Sequence, residues 1–269
     1  MQAMRDFFKK CPLVVSSCDA YSDIWGIFFT QLFKYWPEIE GHVYLLSNHK
    51  KYNDPRVHSI CTGKDLDWGS NMLVALPQIP ADYLIYFQDD YLLDRKVDVN
   101  YLSTWIERYI NTRGKYFSLK NIKINPSNFG GGELKPISKE SFDSWFADFN
   151  AGVWKSDMLL QLAQLKLNVW QTESEIRKLR FTDIDGFYYI SENEKPLLNY
   201  VQGVKGKFWL PDAIDFCKKE GLQPDLKHRP CPPQGQDLIS KLIRSYHKRR
   251  MQLVHCINSK REEKIIESN

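Results

Sequence analysis

Apolar residues fall into short uninterrupted runs separated by helix-spaced stretches. Cys11 to Ser17 (CPLVVSS) reads as a buried strand ending in small polar residues, and Ile24, Phe28, Leu32 and Trp36 recur at helical spacing behind it. His42 to Leu46 and Arg56 to Cys61 give two more strands. Trp68 to Leu76 gives a helix stopped by Pro77, whose ring removes a helical hydrogen bond. Tyr83 to Phe87 (YLIYF) is a fourth strand. Beyond it the spacing predicts a helix over Asn100 to Asn111, strands over Tyr116 to Leu119 and Phe149 to Trp154, and helices over Ser156 to Leu165 and Thr172 to Leu179, the last opened by Thr172. Strands and helices alternating at these lengths predict an α/β fold with a mostly parallel sheet flanked by helices.

Two stretches break the rhythm. Phe129-Gly130-Gly131-Gly132 fits neither helix nor strand, and reads equally as a surface connection or an active-site lid. Arg229 to Asp237 (RPCPPQGQD) marks the end of the compact body, which divides the chain into a domain over 1–228 and a linker with a tail over 229–269. In that tail Leu238, Ile239, Leu242, Ile243, Tyr246, Leu253, Val254 and Ile257 recur at roughly helical spacing among Lys and Arg, predicting a basic amphipathic helix. Docking on protein and contact with an anionic membrane surface both stay open for it.

Composition narrows the partners. The net charge of +4 sits mostly in the tail, so nucleic acid is not the expected partner. Aromatic residues make up 14% of the chain, enough to fill a core and still line a cleft where the C–H face of a sugar packs on a ring. Six cysteines without a CxxC pair point to a reducing compartment. No run approaches the ~18–20 apolar residues that span a bilayer. The expected location is cytoplasmic, with a peripheral position on the inner face of the membrane if the tail binds lipid.

In an open α/β sheet, ligands collect at the carboxyl ends of the strands. The first strand is followed by Ser16-Ser17-Cys18-Asp19-Ala20-Tyr21-Ser22-Asp23, and the fourth by Gln88-Asp89-Asp90-Tyr91. Adjacent carboxylates repel and raise each other's pKa, a conflict that Mn²⁺ or Mg²⁺ resolves while bridging a substrate diphosphate. A turn with one Asp capping the next element is the plainer reading.

The run YLIYFQDDYL at 83–92 resembles the DxD-type region of GT-A-fold glycosyltransferases, in a form where Asp90 meets the metal. SCDAYSDIWGIFFTQLFKYWP at 17–37 is similar to the opening of bacterial surface-polysaccharide (lipopolysaccharide and capsule) members of that fold. The resemblance extends to Asn150–Trp154, Trp170-Gln171-Thr172-Glu173 and VQGVKGKFW at 201–209, most of residues 11 to 225. It implies an inverting, metal-dependent transfer of a sugar from a nucleotide-diphosphate sugar donor to a glycan or lipid-linked saccharide acceptor.

By the same resemblance Asp90 is the metal ligand, Asp89 supports it in the donor site, and Asp19 and Tyr21 contact the nucleotide. Asp19 also reads as a turn or cap residue and Tyr21 as sheet packing. Glu173 stands where inverting members keep the catalytic base, although Glu173-Ser174 departs from the Glu-Asp pattern of relatives, which leaves Glu175, Asp148 and Asp183 as competitors. A first-turn position favoured by the helix dipole is its plainer role. Trp154 and Trp170 read as sugar-stacking faces or core residues, His228 as a late metal ligand or a surface residue, and Ser70 and Asn71 as ordinary caps. Two rivals remain. Nucleotidyl transfer uses a related sheet but begins with a glycine-rich basic phosphate loop that the first loop here lacks, and a catalytically silent binding or scaffold protein would keep the fold alone.

Overall fold

The computed structural model describes residues 7–120, 133–137, 149–179, 185–191 and 194–232. The triple-glycine loop, Asp148, Asp183 and the amphipathic tail lie outside them.

Leu13, Val14 and Val15 are shielded on both faces, the environment that a run of β-branched and aliphatic residues requires. They form β1 (Leu13–Ser16). It pairs in parallel with β2 (Val43–Ser47) on one side and β4 (Tyr83–Gln88) on the other, and β3 (Val57–Cys61) continues beyond β2. The sheet then carries β8 (Gly152–Lys155), β6 (Tyr116–Ser118), β9 (Phe187–Tyr189) and β7 (Lys135–Pro136), in the order β3-β2-β1-β4-β8-β6-β9-β7. β8 runs antiparallel to β4 and β6, and β7 antiparallel to β9. The described residues thus form a mostly parallel eight-stranded sheet. Its strand order reverses between β1 and β4, which opens a crevice at their carboxyl ends.

Helices cover both faces. Val15, Ile85 and Phe87 point toward α1 (Trp25–Tyr35), α3 (Val99–Asn111) and α6 (Pro211–Lys219). Val14, Leu84 and Tyr86 point toward α2 (Trp68–Ala75), α4 (Ser156–Ala163) and α5 (Val169–Leu179). Gly69 lets α2 meet the end of α4 at backbone distance: its N–H donates to Leu167 O at 3.1 Å, and a Cβ there would lie 2.5 Å from Ala163 O. Among the described residues no helix is long and apolar enough to cross a membrane.

Several boundaries differ from the sequence expectation. α5 begins at Val169 because Asn168 Oδ1 accepts the N–H of Gln171 at 3.0 Å and Gln171 Oε1 accepts that of Asn168 at 3.1 Å, a reciprocal cap. Thr172 therefore lies inside the helix, fully buried, with its hydroxyl on Asn168 O. Short strands β5 (Tyr91–Leu93), β10 (Tyr200–Gln202), β11 (Val204–Lys205) and β12 (Phe208–Trp209) escaped the pattern, as did α6. β10 pairs antiparallel with β5, and β11 with β12, beside the crevice. The body also runs past residue 228: Arg229 is buried, and the Trp209 N–H donates to Pro230 O at 3.1 Å.

Candidate active site

Ser17 and Asp89 leave neighbouring strands at the point where the strand order reverses. The Ser17 hydroxyl donates to Asp89 Oδ2 in a short hydrogen bond. Trp25 Nε1 reaches both, at 2.7 Å from Ser17 Oγ and 3.2 Å from Asp89 Oδ2. Asp89 is 4% exposed and Asp90 9%, so the pair is withdrawn from water. Burial pushes both carboxyls above the usual range. For Asp89 the Ser17 and Trp25 hydrogen bonds oppose the shift and the Asp90 charge adds to it; for Asp90, Gln202 opposes it. Ionising both of two adjacent buried carboxyls is costly, and an entering cation lowers that cost.

Asp90 is held from the other side by the β10–β11 region. Gln202 Nε2 donates to Asp90 Oδ2 at 3.3 Å, and the Gly203 N–H donates to the Asp90 carbonyl. Asp90 Oδ1 is buried and has no hydrogen-bond partner among the described residues.

The mouth of the crevice is fastened by Arg229. Its Nε and Nη2 donate to the Asp23 carboxylate at 3.1 and 3.0 Å, Nη2 also to Ala20 O at 3.1 Å, and Nη1 to Gly206 O. The guanidinium lies 4.5 Å from the centre of the Tyr21 ring, whose hydroxyl donates to Gly206 O at 3.3 Å. One face of Tyr21 is thereby covered by a cation, and the half-buried ring also packs against the core.

Asp19 has a structural task. Its carboxylate accepts the N–H groups of Asn48, His49 and Lys50 at 3.0, 3.1 and 3.1 Å, which ties the loop after β1 to the loop after β2. Burial pushes the carboxyl up, but the Lys50, His49 and Asn48 N–H groups outweigh it and hold it below the usual range. Oδ1 takes all three donors, and Oδ2 shares only that of His49, at 3.1 Å.

Glu173 lies in the second turn of α5, so the dipole of the first turn does not explain it. Its Oε1 accepts the Phe149 N–H at 3.0 Å, and its Oε2 lies 3.6 Å from Arg177 Nη2. Extending the β4–β8 register beyond Tyr86↔Gly152 sets Asn150 beside Gln88 and Phe149 beside Asp89. The Tyr91 hydroxyl donates to Asn150 Oδ1. Burial pushes the Tyr86 hydroxyl up, hydrogen bonds from Ser16 and Trp68 oppose this, and the Glu173 and Asp89 charges add to it, so one phenol senses both carboxylates. Glu173 therefore belongs to the same end of the sheet as the acidic pair.

The other candidates separate cleanly. Trp154 is a fully buried core residue, whereas Trp170 is 77% exposed. Glu175 pairs with Lys178 at 2.6 Å on the helix surface. His228 is exposed, with its N–H on Asp225 Oδ1, while its neighbour Arg229 enters the site. The cap of α2 is Asp67, which accepts the Ser70 N–H at 2.7 Å, while Ser70 and Asn71 lie inside the helix and donate from their side chains to Asp67 and Asp65. Sequence reasoning passed over Ser17, Trp25, Gln202 and Arg229. Gln202 lies within the VQGVKGKFW run, but nothing along the chain pairs Arg229 with Asp23.

No protein-family model matches the sequence, and no curated protein matches it. Among solved structures, the chain is similar to a UTP-bound UGPase from Acinetobacter baumannii, at 13% identity over 87% of this chain and 98% of that one with a TM-score of 0.47. It is similar to a cytidylyltransferase from Leptospira borgpetersenii, at 13% identity over 79% and 95% of the two chains with a TM-score of 0.44. A third similar structure is TarS from S. aureus, at 12% identity over 68% of this chain and 35% of that one, with a TM-score of 0.43.

Proposed function

We propose that the protein transfers a sugar from a nucleotide-diphosphate sugar to a saccharide or lipid-linked saccharide acceptor, in a metal-dependent reaction that inverts the anomeric centre. The observation that carries this reading is the buried Asp89–Asp90 pair at the reversal of strand order, with Asp90 Oδ1 left without a partner. Among the described residues no three His, Cys, Asp or Glu side chains form a set that holds a metal by themselves. A cation shared between one protein carboxylate and a ligand's phosphates suits that donor set better than a closed protein cage. When bound, Mn²⁺ or Mg²⁺ neutralises the charge that develops on the departing diphosphate.

Asp90 is the residue that would hold it. Asp89 has Oδ2 engaged by Ser17 and Trp25 and acts as support. Glu173 is the proposed base, taking the proton from the acceptor hydroxyl as that oxygen attacks the anomeric carbon and the diphosphate leaves. Trp170, exposed and one helical turn before Glu173, offers an aromatic face to the acceptor sugar. Asp19 keeps the nucleotide side in shape through the loop after β2, with Oδ2 the oxygen left for a ribose hydroxyl, and Tyr21 contacts the nucleotide. The basic tail would bring the enzyme to an anionic membrane surface if the acceptor is lipid-linked.

Calorimetry with UDP and GDP, with and without Mn²⁺, followed by a nucleotide-sugar panel scored for metal-dependent hydrolysis, tests the proposal. Metal-dependent binding in the micromolar range and turnover of one donor class support it. No binding at millimolar ligand would sink it and favour a silent scaffold. Release of pyrophosphate from a nucleoside triphosphate and a sugar phosphate would assign nucleotidyl transfer instead.

A further inference from the structure

Asn48 follows β2 directly and is 6% exposed. Its Oδ1 accepts the Asp19 N–H at 3.0 Å, and Asp19 Oδ1 accepts the Asn48 N–H at 3.0 Å, so the two residues clasp the ends of β1 and β2 reciprocally. The first of these bonds settles which end of the amide is oxygen. The nitrogen end is left over: Nδ2 is buried and has no acceptor among the described residues. A buried amide donor without an acceptor is costly, and at the carboxyl end of a strand beside the acidic pair a ligand can supply the missing partner.

Its neighbours have their own partners. Asp19 Oδ1 is committed to three N–H groups, and Ser47 Oγ donates to Lys50 O at 2.5 Å. The ligand atom that Nδ2 can take follows from charge. A phosphate would have to sit beside the Asp19 carboxylate, so a neutral acceptor is required, and a neutral amide N–H suits a keto oxygen. Its place follows from the sheet. Asp90 follows β4, Asp19 follows β1 and Asn48 follows β2, so Asn48 stands two strands, or roughly 10 Å, from the acidic pair. A nucleoside diphosphate held by its phosphates at Asp90 reaches across that gap with its ribose and base.

We infer that Asn48 reads the base of the donor nucleotide, its Nδ2 donating to the exocyclic oxygen at the position where uracil and guanine carry a keto group and cytosine and adenine an amino group. The inference rests on the nucleotide-sugar reading above and narrows its donor class to uridine or guanosine diphosphate sugars.

Calorimetry on the full chain with UDP, CDP, GDP and ADP, each with Mn²⁺, tests it. The wild type is expected to bind the keto member of a pair, UDP over CDP or GDP over ADP, at least about 10-fold more tightly, because the wrong base sets an amino donor against the amide donor. Asn48→Asp keeps an acceptor for the Asp19 N–H but replaces the donor with a second acceptor, and is expected to move the preference toward the amino base. Asn48→Ala should erase the preference by weakening the keto ligand about 10-fold while changing the amino ligand little. A structural role alone would weaken all four ligands by one factor, and that outcome overturns the inference. So does a wild type that binds all four alike or prefers an amino base, with the nucleotide reading left standing. A wild type that binds none of the four removes that reading and the inference together. Should Asn48→Asp fail to fold beside Asp19, the keto-to-amino ratio of Asn48→Ala decides.

Discussion

Arg229 and Asp23, 206 positions apart, meet through hydrogen bonds of 3.1 and 3.0 Å with both side chains largely withdrawn from solvent. Removing one partner of such a pair strands the other charge, which typically costs about 3–5 kcal/mol. Arg229→Met should lose stability in that range by urea denaturation. Arg229→Met with Asp23→Leu should recover part of it, because no charge is then left alone. Equal loss in the single and double variants would show that Arg229 acts through its contacts with Gly206 O and Ala20 O instead.

Gln202 holds Asp90 Oδ2, the neighbour of the oxygen proposed to meet the cation. Outer partners of this kind usually tune metal affinity by about 10- to 100-fold. Gln202→Ala should weaken Mn²⁺ in the presence of nucleotide by that factor, and Asp90→Ala should abolish the metal dependence of nucleotide binding. Metal-dependent binding that survives in Asp90→Ala would move the cation elsewhere.

Glu173→Gln can still accept the Phe149 N–H but cannot take a proton. Donor binding should stay within error of wild type while single-turnover transfer falls by about 10²- to 10⁴-fold. A full transfer rate would leave Glu173 as the anchor of Phe149 and nothing more.

Asp19 supplies a pH test of the β1–β2 tie. Its carboxyl is held below the usual range in the folded chain, so its stabilising effect is complete above the unfolded value of ~3.9 and is lost as pH falls through the lower folded value. In thermal melts, the wild-type advantage over Asp19→Asn should be constant near neutrality and shrink as the pH falls below ~4. An advantage that grew on acidification would contradict the assignment.

Gly69 is where α2 touches the end of α4. Its missing side chain would lie 2.5 Å from Ala163 O, a backbone atom that cannot swing aside. Gly69→Ala should therefore destabilise the fold by about 1–3 kcal/mol, although alanine is the better helix former. Nucleotide affinity measured well below the melting point should not change.

The centre of the parallel half of the sheet was legible because β1 and β4 are apolar runs buried on both faces, as Leu13–Val15 and Tyr83–Phe87 are. Strands β5 and β9–β12 hold two or three residues each, too few for alternation to register. α6 left a signal that went unread: Pro211 in its first turn and Gly221 just past its end, at φ 72. Asp89 and Asp90 stood out because acidic residues after an apolar strand are conspicuous in one dimension. Trp154 and Trp170 were indistinguishable along the chain and opposite in space, since only packing decides which indole is covered. Arg229 was hidden because its meaning lies in Asp23, Ala20 and Gly206, none of them near it in sequence.

The strands that frame the crevice, β3, β2, β1 and β4, are complete by Gln88, whereas the last part of its mouth arrives with Arg229. The interval is 229 minus 88, or 141 residues, which at typical synthesis speeds lasts roughly 7–28 s. The loop after β1 therefore waits on the last part of the described chain for the residue that ties Asp23 and Ala20 to Gly206.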